Sequence, residues 1–165
     1  MKRIKSPRLK VIKSWCREIL LALEYLHSMT PNPIIHRDLK CENIFINSNK
    51  GEIRIGDLGL ATCMSTSFAN SVIGTPHFMA PEMYEEEYDT AVDIYAFGMC
   101  LLEMVTLQIP YKECENSAQV FKKVMSGKKP QSIEIIQNEE VKNFILECLK
   151  DKDERPTATE LLQSK

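Results

Sequence analysis

His36-Arg37-Asp38-Leu39-Lys40-Cys41-Glu42-Asn43 puts a histidine, two carboxylates, two basic groups and an amide into eight consecutive residues. Its flanks are apolar. Ile34-Ile35 before it and Ile44-Phe45-Ile46 after it read as short strands. Turn formers fill residues 47–51, and Glu52-Ile53-Arg54-Ile55 alternates as a strand does. Residues 34–56 therefore read as small strands and a hairpin framing a polar loop. Asp57-Leu58-Gly59 follows directly, with Asp57 14 residues beyond Asn43. Asp38, Lys40 or Asn43 alone would be an ordinary solvated turn residue. Strands bracketing all three, with a further carboxylate just past the hairpin, favour a site.

Outward from this loop the chain turns helical. Ser6-Pro7 offers an N-cap and a first-turn proline. Beyond it Leu9, Ile12, Trp15, Cys16, Ile19, Leu20, Leu23 and Leu26 recur at helical spacing until Thr30-Pro31-Asn32-Pro33 breaks the run. His27 reads as a packed helix residue. Residues 57–84 show no period, and an aperiodic stretch of that length inside a compact domain is usually functional. Four helices follow. Residues 90–106 are apolar almost all round, which marks a central helix. Residues 117–126 close on Gly127, and residues 139–150 carry Val141, Phe144, Ile145, Cys148 and Leu149 on one stripe. Thr157-Ala158-Thr159-Glu160 has capping-box spacing. The fold class expected is α+β, mainly α, in a single domain over residues 1–165.

Composition narrows the function classes. The 165 residues are 44% hydrophobic and carry a net charge of −2, so no global basic field points to nucleic acid. Six basic residues fall within the first 13, which fits a solvated helix start better than a partner-binding patch. The six cysteines form no C-x-x-C pair and no zinc spacing, and a reduced, cytoplasmic setting is expected. The basic N-terminus lacks the apolar core of a signal peptide. Residues 91–109 approach membrane-span length, but Asp93 and Glu103 interrupt them, so no membrane insertion is expected.

Residues 36–43 fit the protein-kinase catalytic loop H-R-D-L-x-x-x-N. Asp57-Leu58-Gly59 stands where the kinase metal motif stands, and Ala80-Pro81-Glu82 closes a segment of activation-loop length. Phosphoryl transfer needs an oriented hydroxyl and neutralisation of charge on the phosphate oxygens. Asp38 suits the proton acceptor that aims the hydroxyl. Lys40 can reach the transferring phosphate as a point charge. Asn43 and Asp57 offer the oxygen ligands that Mg2+ prefers. ATP and Mg2+ are the cofactors so implied.

Three further stretches carry a more specific resemblance. Gly56-Asp57-Leu58-Gly59-Leu60-Ala61-Thr62, Gly74-Thr75-Pro76-His77-Phe78-Met79-Ala80-Pro81-Glu82-Met83-Tyr84-Glu85-Glu86 and Asp93-Ile94-Tyr95-Ala96-Phe97-Gly98-Met99-Cys100 resemble the WNK ("with no lysine") kinases. The resemblance implies a Ser/Thr specificity, carried by Lys40 and Thr75. It implies His36 as a structural member of the loop, Phe45 as the floor of the adenine pocket, and Asp57 and Lys40 at the nucleotide. An ordinary strand-core residue is the other reading of Phe45. Asp93 corresponds to the aspartate that holds the catalytic-loop backbone, and Glu82 and Arg155 to the ion pair closing the lower lobe. Ser71 and Ser67 correspond to activation-loop phosphorylation sites, with Arg37 to pair the phosphate. Leu58 and Leu60 correspond to chloride-contacting positions; packing is their other reading. The partners implied are protein substrates, among them sterile-20-like kinases.

The sequence also departs from the full pattern. It holds no Gly-rich loop, no nucleotide-contacting lysine on a strand and no helix C glutamate, so the resemblance runs from helix D to helix I of a kinase C-terminal lobe, with the N-terminal lobe missing. His77 stands where WNK sequences usually have Glu. Two readings follow: the lower lobe of a longer kinase, inactive without its upper lobe, or a stand-alone lobe that acts by binding. The intact Asp38, Lys40, Asn43 and Asp57 favour the first.

Overall fold

Helix α1, Leu9–His27, turns one apolar stripe inward, burying Ile12, Cys16, Ile19, Leu20 and Leu23. Spacings of three and four put these residues on one face. Each side chain of this size contributes about 1.5–3 kcal/mol when buried. The expected cap, Ser6-Pro7, lies outside the residues described, which in this computed structural model are 8–47, 52–64, 72–85 and 87–164. Arg8 takes the N-cap position with no side-chain bond.

Among the described residues four short strands follow: β1 (Ile34–Ile35), β2 (Ile44–Asn47), β3 (Glu52–Ile55) and β4 (Thr62–Cys63). As expected, β2 and β3 form an antiparallel hairpin, with Ile44 opposite Ile55 and Asn47 opposite Glu52. β1 pairs instead with β4, Ile34 opposite Cys63 and Ile35 opposite Thr62. That partner falls in the stretch read above as one aperiodic loop, and two residues are too few to show a period. The described parts of the stretch also hold 3-10 turns at Leu58–Leu60 and Pro76–Phe78 and a short helix α2, Pro81–Tyr84.

The centre of the fold is α3, Ala91–Thr106, in which every residue from 92 to 102 is buried. It touches α1, the catalytic-loop turn Cys41–Asn43 and the Pro76–Phe78 turn, as well as α5, Glu139–Cys148. The α3–α5 contact is so close that a Cβ on Gly98 would lie 2.6 Å from Cys148 Cβ. Phe97 and Phe144 meet edge to face across it, centroids 6.3 Å apart. Helix α4, Ser117–Met125, starts with Asn116 accepting from Gln119 N at 3.0 Å. It ends at Gly127, whose φ of 71° supplies the left-handed residue the turn requires. Helix α6, Ala158–Gln163, opens on a reciprocal capping box between Thr157 and Glu160. The architecture is thus mainly helical, with two two-stranded sheets among the described residues. No described helix is long and apolar enough to cross a membrane.

All six cysteines are free thiols. Burial pushes the Cys16 thiol up to about 12 and holds those of Cys100 and Cys148 well above the ordinary range. The thiolate is the reactive form. A short maleimide pulse at pH 8 is therefore expected to label exposed Cys63 first, half-buried Cys41 and Cys114 more slowly, and the three buried thiols only on unfolding. Peptide mapping by mass spectrometry checks the order.

Candidate active site

The polar loop is held from below. Leu39 is buried in the core, and the backbone just before it, at His36 and Arg37, is pinned by Asp93, from the first turn of α3. Asp93 is only 1% exposed, and a buried carboxylate must be satisfied by donors. Its Oδ2 accepts from His36 N at 2.9 Å and its Oδ1 from Arg37 N at 3.0 Å. Arg37 sits at φ 69°, a left-handed position that tertiary contacts such as these must hold. His36 is fully buried. Its Nδ1 accepts from Asp38 N at 3.3 Å and its Nε2 donates to the Gly56 carbonyl at 3.0 Å, a bonding pattern that assigns the ring proton to Nε2.

Asp38, 7% exposed, is the hub of the loop. Its Oδ1 accepts the Thr75 hydroxyl at 2.8 Å. Its Oδ2 faces Lys40 Nζ at 2.9 Å and accepts from Asn43 Nδ2 at 3.3 Å. Lys40 Nζ also donates to Thr75 Oγ1 at 3.0 Å, closing a triangle of Asp38, Lys40 and Thr75. Thr75 reaches the loop because its neighbour Gly74, at φ 125°, runs against it. A Cβ there would lie 2.8 Å from the Arg37 carbonyl.

The β2–β3 register brings the next group in. Gly56 N donates to Asn43 O at 2.8 Å, so Asp57 follows directly on the residue bonded to Asn43. Asp57 is exposed, at φ 58°, and its carboxylate accepts from Gly59 N at 3.3 Å. Asn43 spends its amide nitrogen on Asp38, at 2.8 Å to the carbonyl, which leaves the amide oxygen to face a cation. A carboxylate and an amide oxygen are the kinds of donor a hard divalent cation prefers.

The remaining expected residues divide. Glu82 and Arg155 form the expected buried pair, bonded through both guanidinium nitrogens Nη1 and Nη2. Arg37 Nε donates to the Leu60 carbonyl at 2.6 Å and Nη1 to Tyr88 Oη at 3.3 Å, while Ser67 and Ser71 lie outside the described residues. Phe45 is 58% exposed, which rules out the strand-core reading. Its ring covers Gly56, where a Cβ would lie 2.5 Å from it. Leu58 and Leu60 are likewise exposed and not packing residues.

Sequence reading missed several members of this assembly. His27 Nε2 lies 2.8 Å from Asp93 Oδ2, and buried Tyr88 holds Arg37. Behind the loop, the Cys41 thiol donates to the Cys100 carbonyl at 3.6 Å. Glu103 sits nearby with its carboxyl pushed up by burial. None of these belongs to a motif, and only spatial neighbours reveal them. A groove of about 240 Å³ between α1, α5 and α6, floored by Leu101 of α3, shares no residue with the site. Among the described residues no cluster of three or more His, Cys, Asp or Glu side chains is set to hold a metal. Asn43 with Asp57 is a different kind of set, one carboxylate with an amide.

A protein kinase domain model matches residues 2–165, and the chain belongs to the protein kinase family. Within it the likeness is to WNK kinases. The chain is 61% identical over 154 residues to a probable serine/threonine-protein kinase WNK10 of Arabidopsis thaliana, covering 93% of this chain and 29% of that protein. It is 59% identical over 163 residues to the serine/threonine-protein kinase WNK3 of Mus musculus, covering 98% of this chain and 9% of that protein. It thus spans less than a third of the length of either relative.

Proposed function

We propose that the chain is the catalytic and metal-holding part of a WNK-like serine/threonine protein kinase, which transfers the γ-phosphoryl group of ATP to a hydroxyl of a protein substrate. The observation that carries this reading is the Asp38–Lys40–Thr75 triangle, with Asp57 brought alongside by the Asn43–Gly56 bond. The acceptor hydroxyl forms the new P–O bond as the β–γ bridging bond breaks to release ADP, and its proton passes to Asp38. Lys40 neutralises charge on the phosphoryl oxygens while keeping Asp38 oriented. Asn43 and Asp57 would hold Mg2+, which supplies further charge neutralisation when bound. Exposed Phe45 would underlie the adenine, and Arg37 would exchange the Leu60 carbonyl for a phosphate on Ser71 or Ser67.

The WNK likeness supports sterile-20-like kinases as substrates, Leu58 and Leu60 as chloride contacts, and a cytoplasmic setting. A module acting by binding alone has no use for the triangle.

The test uses a complete catalytic domain containing these residues, labelled ATP, Mg2+ and serine, threonine and tyrosine peptides. Label is expected on serine and threonine only, and Asp57→Asn is expected to remove it. Transfer undiminished in Asp57→Asn would overturn the reading.

A further inference from the structure

His27 closes α1, and nothing in its sequence context marks it for chemistry. Its ring Nε2 nevertheless lies 2.8 Å from Asp93 Oδ2. An ionised carboxylate only accepts, so Nε2 carries the proton and His27 is a donor. The same Oδ2 accepts His36 N, and Oδ1 accepts Arg37 N. From His36 the bonds divide. One nitrogen receives the Asp38 N–H, and the other donates to the carbonyl of Gly56, which precedes Asp57. A single connected set of hydrogen bonds therefore runs from the end of α1 to the backbone of Asp38 and to Gly56, the residue before Asp57.

We propose that His27 is a positioning residue for phosphotransfer: through Asp93 it fixes the His36–Arg37 peptide, and through His36 it keeps Asp38 and Asp57 in register. This rests on the kinase reading above. The physical cause is satisfaction of a buried charge. Without His27, Oδ2 keeps one backbone donor in place of two. A carboxylate so deeply buried must then shift or admit water to recover what it lost. Either response loosens the peptide it holds. Bonds to charged groups are the strong ones, so the loss is felt locally before it is felt globally.

Hydrogen exchange on the full 165-residue chain reads this without any catalysis. His27→Phe, which keeps a ring and removes the donor, is expected to speed exchange of the His36 and Arg37 amides about tenfold or more, while the amides of Leu102 and Ile145 keep their rates. His27→Gln, which returns an N–H at similar reach, is expected to restore most of the protection. Thr159→Ala is the control. It cuts a different tether near this end of α1, the Thr159 Oγ1 bond to Glu24 at 2.8 Å, and is expected to leave both loop amides unchanged.

In a complete catalytic domain, His27→Phe is expected to lower kcat with little change in the KM for ATP, and His27→Gln to recover it. Uniform acceleration of all amides, no acceleration, or a glutamine variant as impaired as the phenylalanine one would overturn the proposal. Should His27→Phe fail to fold, the 15N spectrum of the unsubstituted chain decides, because a bare, unprotonated Nε2 on His27 contradicts the bond. Failure of the kinase reading is separate: it would appear as phosphotransfer surviving Asp57→Asn, with the exchange result untouched.

Discussion

Asp38→Asn in a complete catalytic domain is expected to lower kcat by about 10²–10⁴-fold, the range general-base assistance supplies. The KM for ATP is expected to change little, because Asp38 holds the acceptor side of the reaction. The substitution keeps size and shape, but it changes the chemistry of both oxygens at once. Oδ2 faces Lys40 Nζ at 2.9 Å and Asn43 Nδ2 at 3.3 Å, and Oδ1 takes the Thr75 hydroxyl at 2.8 Å. An amide can serve only one of these sides with an oxygen. If its NH2 turns toward Lys40, two donors face each other. If it turns toward Thr75, the hydroxyl must reverse and leave its present bond. In neither orientation is there a carboxylate to take the substrate proton. Steady-state phosphotransfer measures the loss. An unchanged thermal midpoint separates it from unfolding, since Asp38 hangs from a backbone that Asp93 and Leu39 already fix.

Much of that site was legible in the sequence because its chemistry is local. Asp38, Lys40 and Asn43 fall within six residues, and the hairpin that brings Asp57 back is marked by alternating apolar residues around a turn. The helices were legible for the same reason, as in α1, whose apolar spacing speaks within a few turns, and in α4, which closes on Gly127. What was hidden depends on distant partners. The β1–β4 pairing joins residues about 28 positions apart through two residues on each side, too short a stretch for any period to appear. Tyr88, Tyr95 and Tyr111 are fully buried, yet tyrosine spacing carries no such message. His27 reads as helix packing until Asp93, 66 residues away, is found against it. For Phe45, Leu58 and Leu60 the sequence left two readings open, a site role by resemblance and ordinary packing. Apolar residues beside strands suit a core as well as a site, and only their exposure here, at 58%, 54% and 37%, weighs against the core.

Arg155→Met is expected to cost the folded chain about 3–5 kcal/mol, the range for breaking a buried ion pair from one side. The Arg155 side chain has no exposed surface, and every guanidinium N–H is engaged. Nη1 bonds Glu82 and, at 2.8 Å, the Ala91 carbonyl. Nη2 reaches Glu82 Oε2 at 3.2 Å and the Lys150 carbonyl at 3.0 Å, and Nε reaches the same carbonyl at 3.1 Å. The group also lies over the Tyr95 ring, 5.2 Å from its centroid. Methionine fills part of the volume but strands Glu82 as a buried charge without a partner and removes the donors to Ala91 and Lys150. Glu82 belongs to α2, seven residues beyond Thr75, so the damage runs toward the triangle at Asp38 as well as through the core.

Urea unfolding is expected to show a lower midpoint with an unchanged slope. Lys142→Met, which breaks the pair with the largely exposed Glu134, is expected to change the unfolding free energy by no more than about 0.5 kcal/mol. The double variant Arg155→Met, Glu82→Met decides the cause. If the cost lies in the stranded carboxylate, removing it recovers most of the stability. If it lies in the carbonyls of Ala91 and Lys150, the double variant stays as unstable as the single one.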